Sequence, residues 1–322
     1  MTRRALVTGG AGFIGSHMAE RLIADGWDVV VIDNEFTGRR ENVPAKATYV
    51  KGDVSIPAEL APAFAKPLDA VFHIAGRAST IQSFLDPTAD MLTNVLGTIN
   101  VIQECLRHRV PRLLYASSMT TYGHPARIPV PLDLPLLPVS YYGIGKCAAE
   151  RYVHATAERN DLDFDFSATS FRMFNVYGPR QSLNNPYQGV VGIFLGNILA
   201  GAPITIHSDG EQSRDFVYIS DVVDAWVGAA VNPGARNQVF NLGTGSRRSV
   251  NQLVDAALAA LGKTRKDWKI DYTPVRPGDQ RHMEADISRT RELLGWSPKV
   301  EFAEGMRRTV LWAQEDHERS RK

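Results

Sequence analysis

A glycine-rich turn between an apolar strand and a helix lies near the start of this chain and limits the folds that it can adopt. Residues 5–8 predict a buried strand, and residues 13–25 predict a helix. Between these elements Gly9, Gly12 and Gly15 follow a G-x-x-G-x-x-G spacing. Glycine permits a tight turn, the approach of a ligand to the backbone and close packing of the helix on the sheet. This arrangement is typical of the first unit of a dinucleotide-binding α/β sheet.

The rest of the first half repeats the alternation of strand and helix. Residues 28–33 are almost continuously apolar, which suits a parallel strand buried on both faces better than an exposed hairpin strand. Further elements follow the same pattern: strands at 47–51, 68–74, 112–117 and 164–171, and long helices at 88–109 and 142–160. The predicted fold class is therefore α/β, a doubly wound parallel sheet of the Rossmann type.

Beyond residue 175 the pattern changes, because proline and glycine become frequent and the alternation is lost. The elements predicted here are shorter: strands at 203–207 and 239–242, and helices at 221–231, 250–261 and 301–315. We predict a dinucleotide-binding domain at 1–175, to which 215–245 return, and a smaller interleaved substrate lobe at 176–214 and 246–322.

Asp33 ends the second predicted strand, at the position where an acidic side chain can accept hydrogen bonds from both hydroxyls of an adenosine ribose. The same carboxylate repels a 2′-phosphate, so the sequence predicts NAD rather than NADP as the cofactor. Arg39 and Arg40 follow in the next loop and could accept such a phosphate. A solvated loop is the simpler interpretation of these two arginines.

A hydroxyl, a phenol and an ammonium group occur at positions that suit proton transfer beside this cofactor. Tyr142 and Lys146 lie four residues apart at the start of a predicted helix and share one face. The lysine and the positive charge of an oxidised nicotinamide would favour the phenolate and lower the pKa of Tyr142, making it a usable base. Ser118 follows a predicted strand and can hydrogen-bond to the same substrate hydroxyl. Tyr141 is an alternative phenol without this spacing to a lysine.

Composition excludes several other classes of protein. Lys+Arg number 36 against Asp+Glu 35, and the net charge of +1 gives no general attraction to nucleic acid or to an anionic membrane. No segment approaches the roughly 18 apolar residues of a membrane span, and the N-terminus lacks a signal-peptide core. Cys105 and Cys147 are too few for a disulfide framework, so the predicted location is the cytoplasm. No metal site is predicted.

These motifs resemble the extended short-chain dehydrogenase/reductase family, and the resemblance spans nearly the whole chain. Residues 52–54 resemble the family's adenine-holding segment, and residues 73–79 resemble the turn beside its cofactor. The resemblance implies an NAD site formed by Gly9, Gly12, Phe13, Ile14, Gly15, Asp33, Asn34, Asp53, Val54, Ala75, Asn94, Tyr142 and Lys146.

Residues 171–181, Phe-Arg-Met-Phe-Asn-Val-Tyr-Gly-Pro-Arg-Gln, resemble the nucleotide-sugar epimerase/dehydratase branch of that family. The resemblance implies a nucleoside diphosphate sugar as substrate, with a UDP-sugar as the first candidate, and a homodimer packed through its two long helices. Asn175 would touch the phosphates, Arg214 and Arg276 would clamp them, and two guanidinium groups suit a diphosphate physically. The implied substrate residues are Ser79, Ser118, Tyr142, Asn175, Thr205, His207, Arg214, Arg276 and Asp279.

The residues after Ser118 indicate which reaction of the branch the chain performs. The 4,6-dehydratases of the family carry an Asp-Glu pair there, and the related decarboxylases carry a glutamate two positions after the serine or threonine. This chain has Met119 and Thr120 instead. Because elimination of water needs a second acid and base, the sequence resembles the UDP-glucose 4-epimerases, with Ser118, Tyr142 and Lys146 as the catalytic residues.

The same motifs are compatible with other functions. The chain could be a nucleotide-sugar reductase or oxidoreductase, a 4,6-dehydratase-like enzyme, or a non-catalytic NAD-binding scaffold. Met283 resembles the position that controls the room at sugar C2 in 4-epimerases, where an unbranched side chain could admit an N-acetyl group. Ordinary packing explains Met283 equally well.

Overall fold

The computed structural model describes residues 2–185, 189–275 and 280–320, and it contains a seven-stranded sheet in the order β10-β6-β5-β4-β1-β2-β3. All neighbouring strands of this sheet run parallel. A three-stranded sheet (β11-β9-β7) and a two-stranded sheet (β12-β8) complete the strands described. The strands are β1 (Arg4–Thr8), β2 (Asp28–Asp33), β3 (Thr48–Lys51), β4 (Ala70–His73), β5 (Arg112–Ser118), β6 (Ser167–Met173), β7 (Asn175–Tyr177), β8 (Ile204–His207), β9 (Ser213–Tyr218), β10 (Gln238–Leu242), β11 (Arg247–Ser249) and β12 (Ile270–Thr273).

Helices cover both faces of the large sheet. They are α1 (Phe13–Ala24), α2 (Pro57–Leu60), α3 (Thr80–Leu85), α4 (Pro87–Met91), α5 (Gly97–Arg107), α6 (Tyr141–Ala157), α7 (Val190–Leu199), α8 (Ile219–Val231), α9 (Val250–Ala260), α10 (Ser288–Leu294) and α11 (Phe302–Arg319). Helices α1 and α8 pack together in one apolar core, and α5 and α6 share the other. The predicted doubly wound α/β fold is confirmed.

The inner residues of β1 and β2 are apolar because these strands face both cores. In β1, Val7 pairs with Val31 and points into the core that holds α1 and α8. The preceding Leu6 pairs with Val30 and points into the core of α5 and α6. Successive side chains of a strand point to opposite faces, so a strand covered on both sides needs apolar residues at every position.

The helix predicted at 88–109 is interrupted in the structure. Helix α4 leads into a π-helical turn at Leu92–Leu96, and α5 continues from Gly97. Single π turns of this kind occur often at functional sites, and this turn carries the predicted cofactor residue Asn94.

The second half contains elements that the sequence pattern did not predict. Helix α7 lies in the stretch interpreted as irregular because of its glycines. A Cβ added at Gly196 would lie 2.0 Å from the Leu183 carbonyl oxygen, so glycine here permits close packing of a helix on a loop. The strand predicted at 164–171 starts later, at Ser167.

The segment 215–245 contributes β10 to the large sheet and α8 to one of its faces. Strand β9 begins before this segment and pairs with β7 and β11. The division into two lobes stays a prediction. Within the described ranges, the helices are all too short or too polar to cross a bilayer.

Candidate active site

A crevice of about 390 Å³ opens at the carboxyl ends of β1, β2, β4 and β5. From β1 the chain winds outward through β2 to β3, whereas β4, β5 and β6 lie on the other side of β1. The crevice is therefore at the point where the strand order reverses, the usual ligand site of an open α/β sheet.

The crevice brings together nearly all residues predicted to hold the cofactor. Those that line it are Gly9, Gly12, Phe13, Ile14, Gly15, Asp33, Asn34, Asp53, Val54, Ala75, Tyr142 and Lys146. The exception among the predicted cofactor residues is Asn94, which is completely buried. The direct contacts of all these residues with a cofactor stay predictions.

The glycine turn leaves room that a larger residue would fill. A Cβ added at Gly15 would lie 2.2 Å from the carbonyl oxygen of Gly9, so the turn can close on α1 only with glycine there. No side chain caps α1 at Gly12. The helix N-terminus thus offers backbone N–H groups to the pyrophosphate of a dinucleotide.

Asp33 is held at the end of β2 by backbone hydrogen bonds. Its carboxylate accepts from the N–H of Ala11 at 3.0 Å and of Glu35 at 2.7 Å. Burial raises the pKa of Asp33, and these hydrogen bonds oppose the shift by stabilising the ionised form. Each carboxylate oxygen keeps further acceptor capacity for ribose hydroxyls. Together with the glycine turn, the residues present fit NAD.

A buried chain of hydrogen bonds holds the turn that follows β4. The hydroxyl of Thr8 accepts the N–H groups of residues 74 and 75, both at 3.1 Å, so its proton points to Nδ1 of His73 at 2.8 Å. Burial lowers the pKa of His73 to about 3, which leaves the imidazole neutral. Its Nε2–H therefore donates to Thr98, which donates to the carbonyl oxygen of Asn94. These hydrogen bonds link Thr8, just before the glycine turn, to the π-helical turn.

The side chain of Asn94 holds the turn after β4 through hydrogen bonds to the backbone of Arg77. Its side chain accepts the N–H of Arg77 and donates to the carbonyl oxygen of Arg77, both at 3.1 Å, and it also donates to Asp90. Asn94 thus shapes the crevice wall through the backbone of Arg77.

The predicted catalytic residues come from two elements that meet at this crevice. Ser118 is the last residue of β5, whereas Tyr142 and Lys146 lie on successive turns of α6. The hydroxyl of Ser140 accepts the N–H of Gly143 at 3.1 Å and thereby fixes the start of α6. The structure thus brings Ser118, Tyr142 and Lys146 together, although their roles stay predictions.

Burial dominates the titration of this set. It raises the pKa of Tyr142 to about 12, and a hydrogen bond from Ser118 acts in the opposite direction. Burial also lowers the pKa of Lys146 to about 8, while the nearby carboxylate of Asp90 raises it. In the protein alone, desolvation of the phenolate dominates, and the lowering of the Tyr142 pKa by Lys146 together with an oxidised nicotinamide stays a prediction. The ammonium group lies 4.9 Å from the ring centre of Tyr115.

Of the residues predicted to contact the substrate, Tyr142 lines the crevice, and the others that the structure describes are not part of its lining. Ser79 caps α3, Thr205 and His207 lie in β8, Asn175 lies in β7 and Arg214 lies in β9. Of these, Ser79 is buried and the others are half-buried. Arg276 and Asp279 lie outside the described residues.

Arg77 is a crevice residue that the sequence interpretation did not single out. Its guanidinium carbon lies 4.6 Å from the ring centre of Phe36, and both residues line the crevice. The sequence signal for this residue is its position within the turn at residues 73–79, which resembles the turn beside the family's cofactor.

A buried ion pair beneath Ser118 was also missed. The carboxylate of Glu150, one turn after Lys146 on α6, accepts from Arg172 of β6 at 2.6 Å and from the hydroxyl of Ser117 at 2.6 Å. Arg172 also donates to the hydroxyl of Tyr122 at 2.9 Å. The pair therefore joins β5, β6, α6 and the turn after Ser118. No local sequence motif predicts this ion pair, because its two partners are far apart in the sequence.

Comparison with known proteins gives a consistent result. The family model described as "NAD dependent epimerase/dehydratase family" matches residues 5–243. UDP-glucose 4-epimerase of Mycolicibacterium smegmatis is 39% identical, and the match covers 95% of this chain and 97% of that protein. UDP-glucuronic acid decarboxylase 1 of Xenopus tropicalis is 32% identical, and the match covers 98% of this chain and 73% of that protein.

Solved structures agree with these sequence relatives. The crystal structure of a UDP-glucose 4-epimerase from Thermotoga maritima, determined with UDP-glucose, superposes with a TM-score of 0.91 at 35% identity. The superposition covers 97% of this chain and 99% of that one.

Proposed function

This chain belongs to the NAD-dependent epimerase/dehydratase family, and we propose that it is a 4-epimerase of a nucleoside diphosphate sugar, with a UDP-sugar as its preferred substrate. The observation that carries this proposal is a buried phenol, Tyr142, which lines the cofactor crevice and receives a hydrogen bond from Ser118. The relatives named as UDP-glucose 4-epimerases support the choice of reaction.

When bound, NAD supplies a reversible hydride acceptor for the carbinol carbon of a sugar. The residues that would hold it are those of the glycine turn, Asp33 and the other lining residues of the crevice. In the proposed reaction the Tyr142 phenolate removes the proton of the sugar 4-hydroxyl, and Ser118 donates a hydrogen bond to the same oxygen. Lys146 supplies positive charge beside the phenolate. In the second half-reaction Tyr142 returns the proton to the oxygen of the inverted carbon.

A tether is needed so that the keto sugar can turn over without leaving the protein. Asn175 pairs with Phe216 across the parallel strands β7 and β9, and Arg214 lies two positions before Phe216. Asn175 and Arg214 therefore lie on the same face of the small sheet. This supports a single diphosphate site, which Arg276 would complete. Such a tether makes the second half-reaction a first-order event.

Decarboxylation and dehydration are the alternatives that family relatives raise. Both are disfavoured here because Met119 and Thr120 occupy the positions at which those enzymes carry carboxylates. Thr120 contacts Ser118 through its hydroxyl at 2.9 Å, so a neutral group occupies the place of the decarboxylase glutamate.

A panel of nucleotide sugars tests the proposed function. We expect UDP-glucose and UDP-galactose to be interconverted without a stoichiometric change in the absorbance of the reduced nicotinamide. A stoichiometric change would identify a reductase, release of CO₂ or water would identify a decarboxylase or dehydratase, and binding without conversion would identify a scaffold. Any of these three outcomes rejects the epimerase.

The same panel examines N-acetylated sugars. Met283 has no exposed surface, and its N–H donates to the carbonyl oxygen of Ser213 at 3.1 Å. This burial favours the packing role of Met283, so the residue supplies no argument for an N-acetyl pocket. Comparing UDP-galactose with UDP-N-acetylgalactosamine measures the preference directly.

We infer a cytoplasmic protein, as the small number of cysteines predicts, and a homodimer, as the family resemblance implies. Helices α3, α4 and α6 carry a group of exposed apolar side chains, which are Phe84, Leu85, Met91, Tyr141, Ile144 and Tyr152. An apolar surface of this kind is typical of a protein interface. Sedimentation of the purified chain should give twice the monomer mass, and a monomer at micromolar concentration would contradict the inference.

A further inference from the structure

The short turn that follows β5 holds a threonine that no cofactor or substrate motif explains. Thr120 is half-buried and lies two residues after Ser118. Building on the proposed function, we propose that Thr120 is a positioning residue: it fixes the Ser118 hydroxyl as a hydrogen-bond donor toward Tyr142 and the reacting sugar oxygen.

Two contacts of Thr120 reach the same atom. Its hydroxyl donates to Oγ of Ser118 at 2.9 Å, and its backbone N–H donates to that oxygen at 3.2 Å. A serine hydroxyl has two lone pairs and one proton. Both lone pairs of Ser118 are therefore occupied by Thr120, and the only remaining function of the hydroxyl is to donate its proton.

The partner of that proton is the catalytic phenol. Ser118 hydrogen-bonds to Tyr142, and this bond lowers the pKa of Tyr142 against the effect of burial. Because both lone pairs of the Ser118 hydroxyl accept from Thr120, Ser118 is the donor of this bond. The chain of donors therefore runs from Thr120 through Ser118 to Tyr142.

The backbone holds Thr120 in this position. Its carbonyl oxygen accepts the N–H of Gly123 at 3.3 Å. A Cβ added at Gly143 would lie 2.8 Å from the same carbonyl oxygen, so Thr120 packs directly against the first turn of α6, next to Tyr142. These contacts hold the backbone of Thr120 against the start of α6, and the threonine hydroxyl contacts Ser118 from that position.

A fixed donor favours the charged states of the reaction. Without the threonine hydroxyl, one lone pair of Ser118 becomes available, and the phenol can donate to it as a neutral group. That arrangement stabilises the protonated phenol and raises its pKa. As the sugar hydroxyl gives its proton to Tyr142, the sugar oxygen becomes the stronger acceptor, so the single Ser118 proton can turn from the phenol to that oxygen and stabilise its charge.

Replacing Thr120 with valine keeps the shape and the backbone N–H but removes the hydroxyl. We expect T120V to lower kcat near neutral pH about three- to tenfold, the effect of one lost hydrogen bond. The acid limb of the kcat–pH profile should move upward by up to about one pH unit, because the base must be ionised to act. KM and the binding of UDP should stay at wild-type values, and T120S should restore both kcat and the profile.

Thr121 offers a matched control in the same turn. Its hydroxyl donates to the carbonyl oxygen of Ser118 at 2.8 Å, away from the side-chain hydroxyl. T121V should therefore leave the acid limb unchanged, whatever its effect on the melting temperature. An acid limb that stays at its wild-type pH in T120V, or that moves equally in T120S or T121V, overturns the role of Thr120.

The two proposals fail in different ways. If the wild-type chain interconverts UDP-sugars and T120V keeps the wild-type kcat–pH profile, Thr120 has no positioning role. The proposed function is then unaffected. A wild-type chain that converts no nucleotide sugar removes the proposed function, and the role of Thr120 falls with it.

Discussion

Replacement of Tyr142 by phenylalanine is expected to lower kcat about 10²- to 10⁴-fold, the usual contribution of a positioned acid–base group. The ring is buried, so phenylalanine fills the same space and only the hydroxyl is lost. Binding of UDP should therefore stay close to wild type. Steady-state conversion of UDP-glucose and titration with UDP measure the two effects separately.

Tyr141 is the matched control for this substitution. It precedes Tyr142 on α6, is 48% exposed and packs against Phe84 with ring centres 5.0 Å apart. Tyr141→Phe should retain near-wild-type turnover. Near-normal turnover in Tyr142→Phe, or equal losses in both variants, would remove Tyr142 from the role of base.

Glu150→Met is expected to destabilise the fold by about 3–5 kcal/mol, because it leaves the buried guanidinium of Arg172 without its charge partner. The double replacement with Arg172→Met removes both charges and should recover much of that loss. Urea denaturation of the two variants gives the free energies of unfolding. The double variant should nevertheless remain less active than wild type, since the pair also joins the elements that carry Ser118 and Tyr142.

An exposed ion pair serves as the control for the buried pair of Glu150 and Arg172. Arg159 and Asp161 lie 2.7 Å apart, with side chains 43% and 64% exposed. Asp161→Asn should leave the free energy of unfolding close to its wild-type value, because exposed ion pairs contribute little. If Glu150→Met is as mild as Asp161→Asn, or if the double variant is no more stable than Glu150→Met, the structural role assigned to the buried pair is wrong.

The sequence could predict the cofactor crevice because its parts are local. The glycine turn, Asp33 and the pair of Tyr142 and Lys146 each lie within one strand–turn–helix unit or one helical turn, where spacing determines which atoms meet. The sheet was predictable for a similar reason, since strands buried on both faces must be continuously apolar.

Contacts between distant segments could not be predicted in this way. Glu150 meets Arg172 only because α6 packs on β6, and Tyr122 meets Asn241 across the sheet. The sequence shows only that Thr120 stands where the related decarboxylases carry a glutamate. Its contact with Ser118 depends on the conformation of the turn after β5. The smaller sheets were missed because their strands are short and their pairing is non-local.

The most direct test of transient oxidation at C4 follows the hydrogen on that carbon. The wild-type chain is incubated in ordinary water with UDP-glucose deuterated at C4, and the galactose-configured product is isolated. The proposed reaction predicts that deuterium remains at C4 after inversion, because the hydrogen leaves and returns without entering solvent. Loss of deuterium from C4 of the inverted product would contradict the account.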